Sequence, residues 1–176
     1  CIIFLVFQAC SPKNHLNIFP ISQDKQLGAN VSHEFDSANS RIILDSVQYK
    51  NVYRYVYSLR DTLLNTGLIT HAKDFPWRIR VIKDDSIQNA FCTPGGYIYI
   101  YTGLMKYLES EDQLAGVMGH EIGHAYDRHP AKSLSREYGV QYLSQILFRN
   151  NKNALQALSL QAVKGGLLTH YGREDE

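Results

Sequence analysis

From Val31 to Leu64, apolar residues (Phe35, Ile42, Ile43, Val47, Val52, Tyr53, Val56, Leu59, Leu63) recur at helical spacing, which predicts one or two helices stopped by Asn65-Thr66-Gly67. The period then changes. Trp77, Ile79 and Val81 alternate with Arg78 and Arg80 in "WRIRVIKDD", the pattern of a half-buried strand turned by Asp84-Asp85-Ser86. Tyr97 to Tyr101 is aromatic and β-branched and too short for a helix, so it reads as a second strand, with the three tyrosines on one face and Ile98 and Ile100 on the other. Ser110 to Arg128 carries the best-marked helix. Ser110 is a good N-cap, Gln113 completes a capping box, Glu111 and Asp112 suit the positive end of the dipole, and Pro130 blocks continuation. Two further helices are expected, at about 132–148 and 154–164, the second broken by Gly165-Gly166.

Ahead of this lies a polar stretch, residues 11–30, with two prolines; it reads as a tether leading into the domain. The greasy run Ile2 to Phe7 is far too short to span a bilayer but fits the tail of a signal-peptide core. Gln8-Ala9-Cys10-Ser11 resembles the lipobox of bacterial lipoproteins, in which cleavage leaves the cysteine acylated. The expectation is therefore a signal-peptide remnant over 1–9, a lipidated Cys10, a lipoprotein tether or lead-in over 10–30, and a chain cut away upstream. A buried N-terminal strand is the alternative. If Cys10 carries lipid and the remnant is removed, Cys92 has no partner for a disulfide.

Composition narrows the picture only slightly. The chain has 176 residues, 44% of them apolar, enough for one domain with a real core. A formal charge of +1 and scattered basic residues argue against nucleic acid or an anionic surface as a partner.

The chemistry sits in "GHEIGHAYDRHP". His120 and His124 are one turn apart on one helical stripe, so their imidazoles can converge on one ion, at the shoulder of the apolar face set by Leu114, Val117, Met118, Ile122 and Ala125. Glu121 points beside the pair, suited to act as general base on a metal-activated water and to pass the proton to a leaving amine. Catalytic zinc takes three protein ligands, so a third, a carboxylate, is expected from farther along the chain. His129 is one residue short of the metzincin position and, on a continuing helix, lies about 140° from His124. It reads as structural, bonding to a neighbouring helix or to carbonyls at the helix end.

Three segments together resemble the M48 family of zinc metallopeptidases: "NIFPISQDKQLGANVSHEF" its leading helix, "NAFCTPGGYIYIYTGLM" its Asn-Ala-Phe…Pro-Gly-Gly strand, and "HEIGHAYDRH" its active-site helix. The resemblance is to the branch of bacterial periplasmic lipoproteins and Oma1-like enzymes. It implies an α+β, zincin-like fold over 31–176, mainly helical, with a small sheet packed on the HExxH helix and a further C-terminal part missing. Aligning Arg173 of "YGREDE" with the family's arginine implies Glu176 as the third zinc ligand, ahead of Glu174 and Asp175. It also implies an edge strand over Asn89–Thr93 on which an extended substrate lies antiparallel, with Asn89, Ala90, Phe91, Gly95 and Gly96 as substrate-binding residues. An ordinary hairpin fits the same residues equally. Cys92 reads as a packing residue rather than a nucleophile. No oxyanion donor is singled out among Tyr126, Tyr138, Tyr142, Tyr171 and His170.

The reading is thus a one-zinc endopeptidase of the bacterial cell envelope, periplasmic and held to a membrane only by a lipid anchor, cutting envelope proteins, misfolded ones included. The alternatives are a truncated or non-catalytic relative that binds polypeptide as a chaperone-like module, and a small-molecule metal hydrolase, which the edge-strand sequence disfavours.

Overall fold

A computed structural model describes residues 20–69, 72–149 and 151–163. In chain order these form helices α1 (Ile21–Ala38) and α2 (Lys50–Leu64), strands β1 (Arg78–Ile82), β2 (Ala90–Thr93) and β3 (Tyr97–Tyr101), and helices α3 (Thr102–Tyr107), α4 (Glu111–Tyr126), α5 (His129–Tyr138), α6 (Val140–Arg149) and α7 (Lys152–Val163). The expected α+β class, mainly helical with one small sheet, is what this is.

The sheet has order β1-β3-β2, with β1 parallel and β2 antiparallel to β3. Its alternation sorts side chains into two layers. Ile79, Val81, Cys92, Ile98 and Ile100 pack with Tyr53, Val56 and Leu59 of α2 and Leu114, Met118, Ile122 and Ala125 of α4. Tyr97, Tyr99, Tyr101, Phe91 and Ile82 pack around Phe35 of α1 on the other face. The three tyrosines are thus a packed face. A polar seam stitches this second layer: the Tyr99 hydroxyl lies 2.8 Å from Ser32 Oγ and donates to Asp36 Oδ1 at 3.0 Å, while Arg80 Nε donates to Asp36 Oδ2 at 2.7 Å. Farther on, Leu27 and Val31 of α1 join Leu134, Leu143, Ile146, Leu147, Leu155 and Leu158 in a separate cluster that seats α5, α6 and α7.

Two expectations are corrected here. The tether expected over residues 10–30 is helical from Ile21 onward, as the resemblance of "NIFPISQDKQLGANVSHEF" to a leading helix implied; its buried stripe of Asp24, Leu27, Gly28, Val31, Ser32 and Phe35 mixes polar residues and glycine with apolar ones. The helix expected at about 132–148 is two helices. Gly139 takes φ 76°, a conformation L side chains rarely adopt, and separates α5 from α6. The turn before β3 is buried. Gly95 and Gly96, at φ 75° and 78°, are buried against the Asp24–Lys25 backbone of α1 and against Phe75 and Trp77 respectively.

β1's outer edge is closed by the 42–44 segment through Leu44 N–H to Val81 O (2.9 Å) and Lys83 N–H to Ile42 O (2.6 Å). Among the described residues, no strand pairs with the outer edge of β2.

Candidate active site

α4 starts where the sequence says it should. Ser110 is extended (φ −146°, ψ 160°) and its Oγ accepts the Gln113 N–H at 3.3 Å. Gln113 Oε1 reaches back to the Glu109 N–H at 2.7 Å, one residue before the usual box partner. The helix buries Leu114, Met118, Ile122 and Ala125 against the sheet and α2, which fixes its rotation. That rotation puts Glu121 inside, only 8% exposed, with His120 at the surface and His124 half-buried.

The two imidazoles face one another with their Nε2 atoms 2.8 Å apart and rings nearly perpendicular. Two nitrogens on one tetrahedral ion, each at about 2.0–2.1 Å, lie about 3.3 Å from each other. Opening this pair by about half an ångström, a small rotation at two surface-side rings, makes that arrangement. The donor set therefore fits a metal ion. Among the described residues no third His, Cys, Asp or Glu completes a cluster with them. Glu176, expected as the third ligand, and Cys10, expected to carry lipid, both lie outside the described residues.

Glu121 sits against β2. Its carboxyl neighbours Cys92. Burial pushes its pKa above the ordinary carboxylate value, with His120 and Cys92 opposing. Cys92 is a buried, free thiol whose own pKa is pushed well up, first by burial and then by the neighbouring Glu121 charge, so it is no nucleophile. Nothing in the sequence signals this thiol–carboxylate contact, because it depends on how β2 crosses α4.

The substrate-side residues divide. Asn89 and Ala90 are half-buried at the start of β2, and Asn89 O accepts the Tyr101 N–H at 3.1 Å. Phe91 is buried and stacks on Tyr99, with centroids 4.8 Å apart. Gly95 and Gly96 serve the joint between the sheet, α1 and the Phe75–Trp77 segment.

At His129 the assumption of a continuing helix fails. The 140° separation assumes a helix continuing through it, but Arg128 is left-handed (φ 60°, ψ 28°). α4 ends, the chain turns, and α5 begins at His129 with Pro130 in its first turn, where proline favours a helix start. His129 thereby swings back, and its Nδ1 lies 2.8 Å from Nδ1 of His124. Arg128 is held in place by Asp24, its Nε donating to Asp24 Oδ2. Nothing in the sequence singled out Asp24, which lies about a hundred residues before Arg128, for this corner.

The model of peptidase family M48 matches residues 58–176, well over half of the chain. The mitochondrial metalloendopeptidase OMA1 of Schizosaccharomyces pombe is 28% identical over 69% of this chain and 37% of its own length. The Arabidopsis thaliana protein of the same name is 35% identical over 46% of this chain and 16% of its own. The beta-barrel assembly-enhancing protease of Escherichia coli strain K12 is 38% identical over 40% of this chain and 15% of its own. The chain thus spans well under half the length of these relatives. They also overturn the expected address. A periplasmic, lipid-anchored location in the bacterial envelope does not follow from a segment that is just as similar to enzymes named as mitochondrial. Among the described residues, no helix is long and apolar enough to cross a membrane. With the matching family model covering the histidine pair, Glu121 and the β2–β3 hairpin, the chain belongs to peptidase family M48.

Proposed function

We propose that this chain is the catalytic segment of a zinc-dependent endopeptidase with zincin-like packing of α4 on its sheet. His120 and His124 hold the ion through Nε2, Glu176 supplies the third ligand, and Glu121 is the general base. The observation that carries this is the convergence of two Nε2 atoms, 2.8 Å apart, on the helix that also buries the adjacent carboxylate. When bound, zinc supplies polarisation of the scissile carbonyl and brings the pKa of a water down to about 7.

The protein's own part follows from burial. A carboxylate kept dry is a stronger base than one in water, and the raised pKa of Glu121 is the sign of it. Glu121 takes the proton from the attacking water and hands it to the leaving amine nitrogen as the C–N bond breaks. Cys92 of β2 neighbours the carboxylate, so the strand that would carry the substrate also packs against the base.

Substrate would add to the outer edge of β2 as an extended strand, at Asn89, Ala90 and the backbone beyond. Backbone hydrogen bonding of this kind requires an unfolded stretch and tolerates many side chains, so the substrate class is polypeptide in extended form. Gly95 and Gly96 shape the hairpin that holds the strand; Phe91 anchors it on Tyr99.

The test is cleavage of an unfolded polypeptide by zinc-loaded protein. Glu121→Gln should cut the rate by about 10²–10⁴-fold while leaving zinc stoichiometry unchanged. An undiminished rate in that variant would refute the mechanism, and retained polypeptide binding without any cleavage in the parent would favour a non-catalytic module.

A further inference from the structure

His124 offers two different nitrogens, and the structure gives each a different neighbour. Nε2 faces Nε2 of His120 at 2.8 Å, and Nδ1 faces Nδ1 of His129 at 2.8 Å. A metal-binding imidazole is neutral, so with the ion on Nε2 the proton must sit on Nδ1. Nδ1–H then donates to Nδ1 of His129, which must accept there and carry its own proton on Nε2. His129 stands behind the ligand rather than beside the ion, so it is not a ligand itself.

The corner that delivers His129 is built for the purpose. A non-glycine residue at φ 60° is uncommon, and Arg128 adopts it while its guanidinium is fixed by Asp24 of α1, a residue 1% exposed. Without the left-handed step, the next residue would continue around α4 and face away from His124. From these contacts we infer that His129 is a positioning residue for the metal centre, locking His124 in the tautomer and ring orientation that presents Nε2, with Arg128 and Asp24 setting its position. The inference rests on the zinc reading above.

Partners of metal-ligating histidines are worth about 10–100-fold in metal affinity, which makes the role measurable without any activity assay. Zinc affinity of the full chain is measured by competition with a chromophoric chelator. His129→Leu should weaken binding by about 10–100-fold. His129→Asn should retain binding within about 3-fold, since the amide Oδ1 stands close to where Nδ1 stood and accepts the same bond. Leu and Asn variants that bind zinc as tightly as the parent, or equally weakly, would overturn the inference. Should His129→Leu fail to fold, ¹⁵N spectra of the zinc-loaded parent decide. A proton on His124 Nδ1 is expected, and coordination through Nδ1 would refute it. A parent that binds no zinc removes the metal reading and this inference with it, whereas a zinc-binding parent unmoved by His129→Leu overturns this inference alone.

Discussion

Asp24 is held in the interior at the α1–α4 corner by the guanidinium of Arg128, and its second oxygen has no partner among the described residues. Burial raises its pKa above 3.8, and the Arg128 bond and charge only partly offset this. The folded protein therefore holds this proton more tightly than the unfolded chain does. Stability from that proton is fully present below the unfolded value of 3.8 and lost as pH rises through the raised folded value. Asp24→Asn, uncharged throughout, removes the slope. In urea melts from about pH 3 to about pH 7, the stability of the parent relative to this variant should fall as pH rises through that window, then level off. A difference moving in the parent's favour would mean that the ion pair outweighs burial. None of this was legible in the sequence, where Asp24 sits in a polar stretch with the composition of a linker.

Among the elements, the ones with strong local signals read correctly and the ones set by packing did not. α4 has a capping residue, acidic first turn and a regular apolar stripe, so its start at Glu111 could be read directly. β3 is short and β-branched, and its limits, Tyr97 to Tyr101, match the expectation. α3 went unseen, since six residues without a capping side chain carry too little pattern. Hydrophobic period alone did not reveal α1's onset, because Asp24 and Gly28 share its buried face with Leu27; only the family resemblance of this segment pointed to a helix. Gly28 shows why the face is built that way. A Cβ there would stand 1.8 Å from the Pro94 carbonyl oxygen, a backbone atom that cannot rotate aside. Alanine usually stabilises a helix relative to glycine by about 1 kcal/mol. Here Gly28→Ala should instead destabilise by about 3 kcal/mol or more, because α1 must lift off the β2–β3 turn. A urea melt giving a stabilised variant would show that the close approach of α1 to that turn is wrong.

At the scale of the whole molecule, α1 and the α4 layer enclose the sheet from opposite faces, and both meet the β2–β3 hairpin. The hairpin therefore ties three parts of the site together: β2's edge, unpaired among the described residues, the buried Glu121 on α4, and the corner that carries His129. The convergence of the histidine pair was legible because helical period alone brings His120 and His124 to one stripe, with Glu121 beside them. The support behind them was not, because a single left-handed residue at Arg128 resets the period and because α1 arrives from a hundred residues upstream. The address was misread for a different reason: a short N-terminal motif was given weight that the segment shared with these relatives does not support.

The metal centre on α4 is the claim from which the rest descends, and an anomalous difference map at the zinc edge addresses it directly. Crystals of the full chain grown with zinc should show one peak bridging His120 Nε2 and His124 Nε2, at about 2.0–2.1 Å from each, with a Glu176 oxygen completing the set. No peak between those two rings, or zinc bound only elsewhere on the protein, would contradict the account.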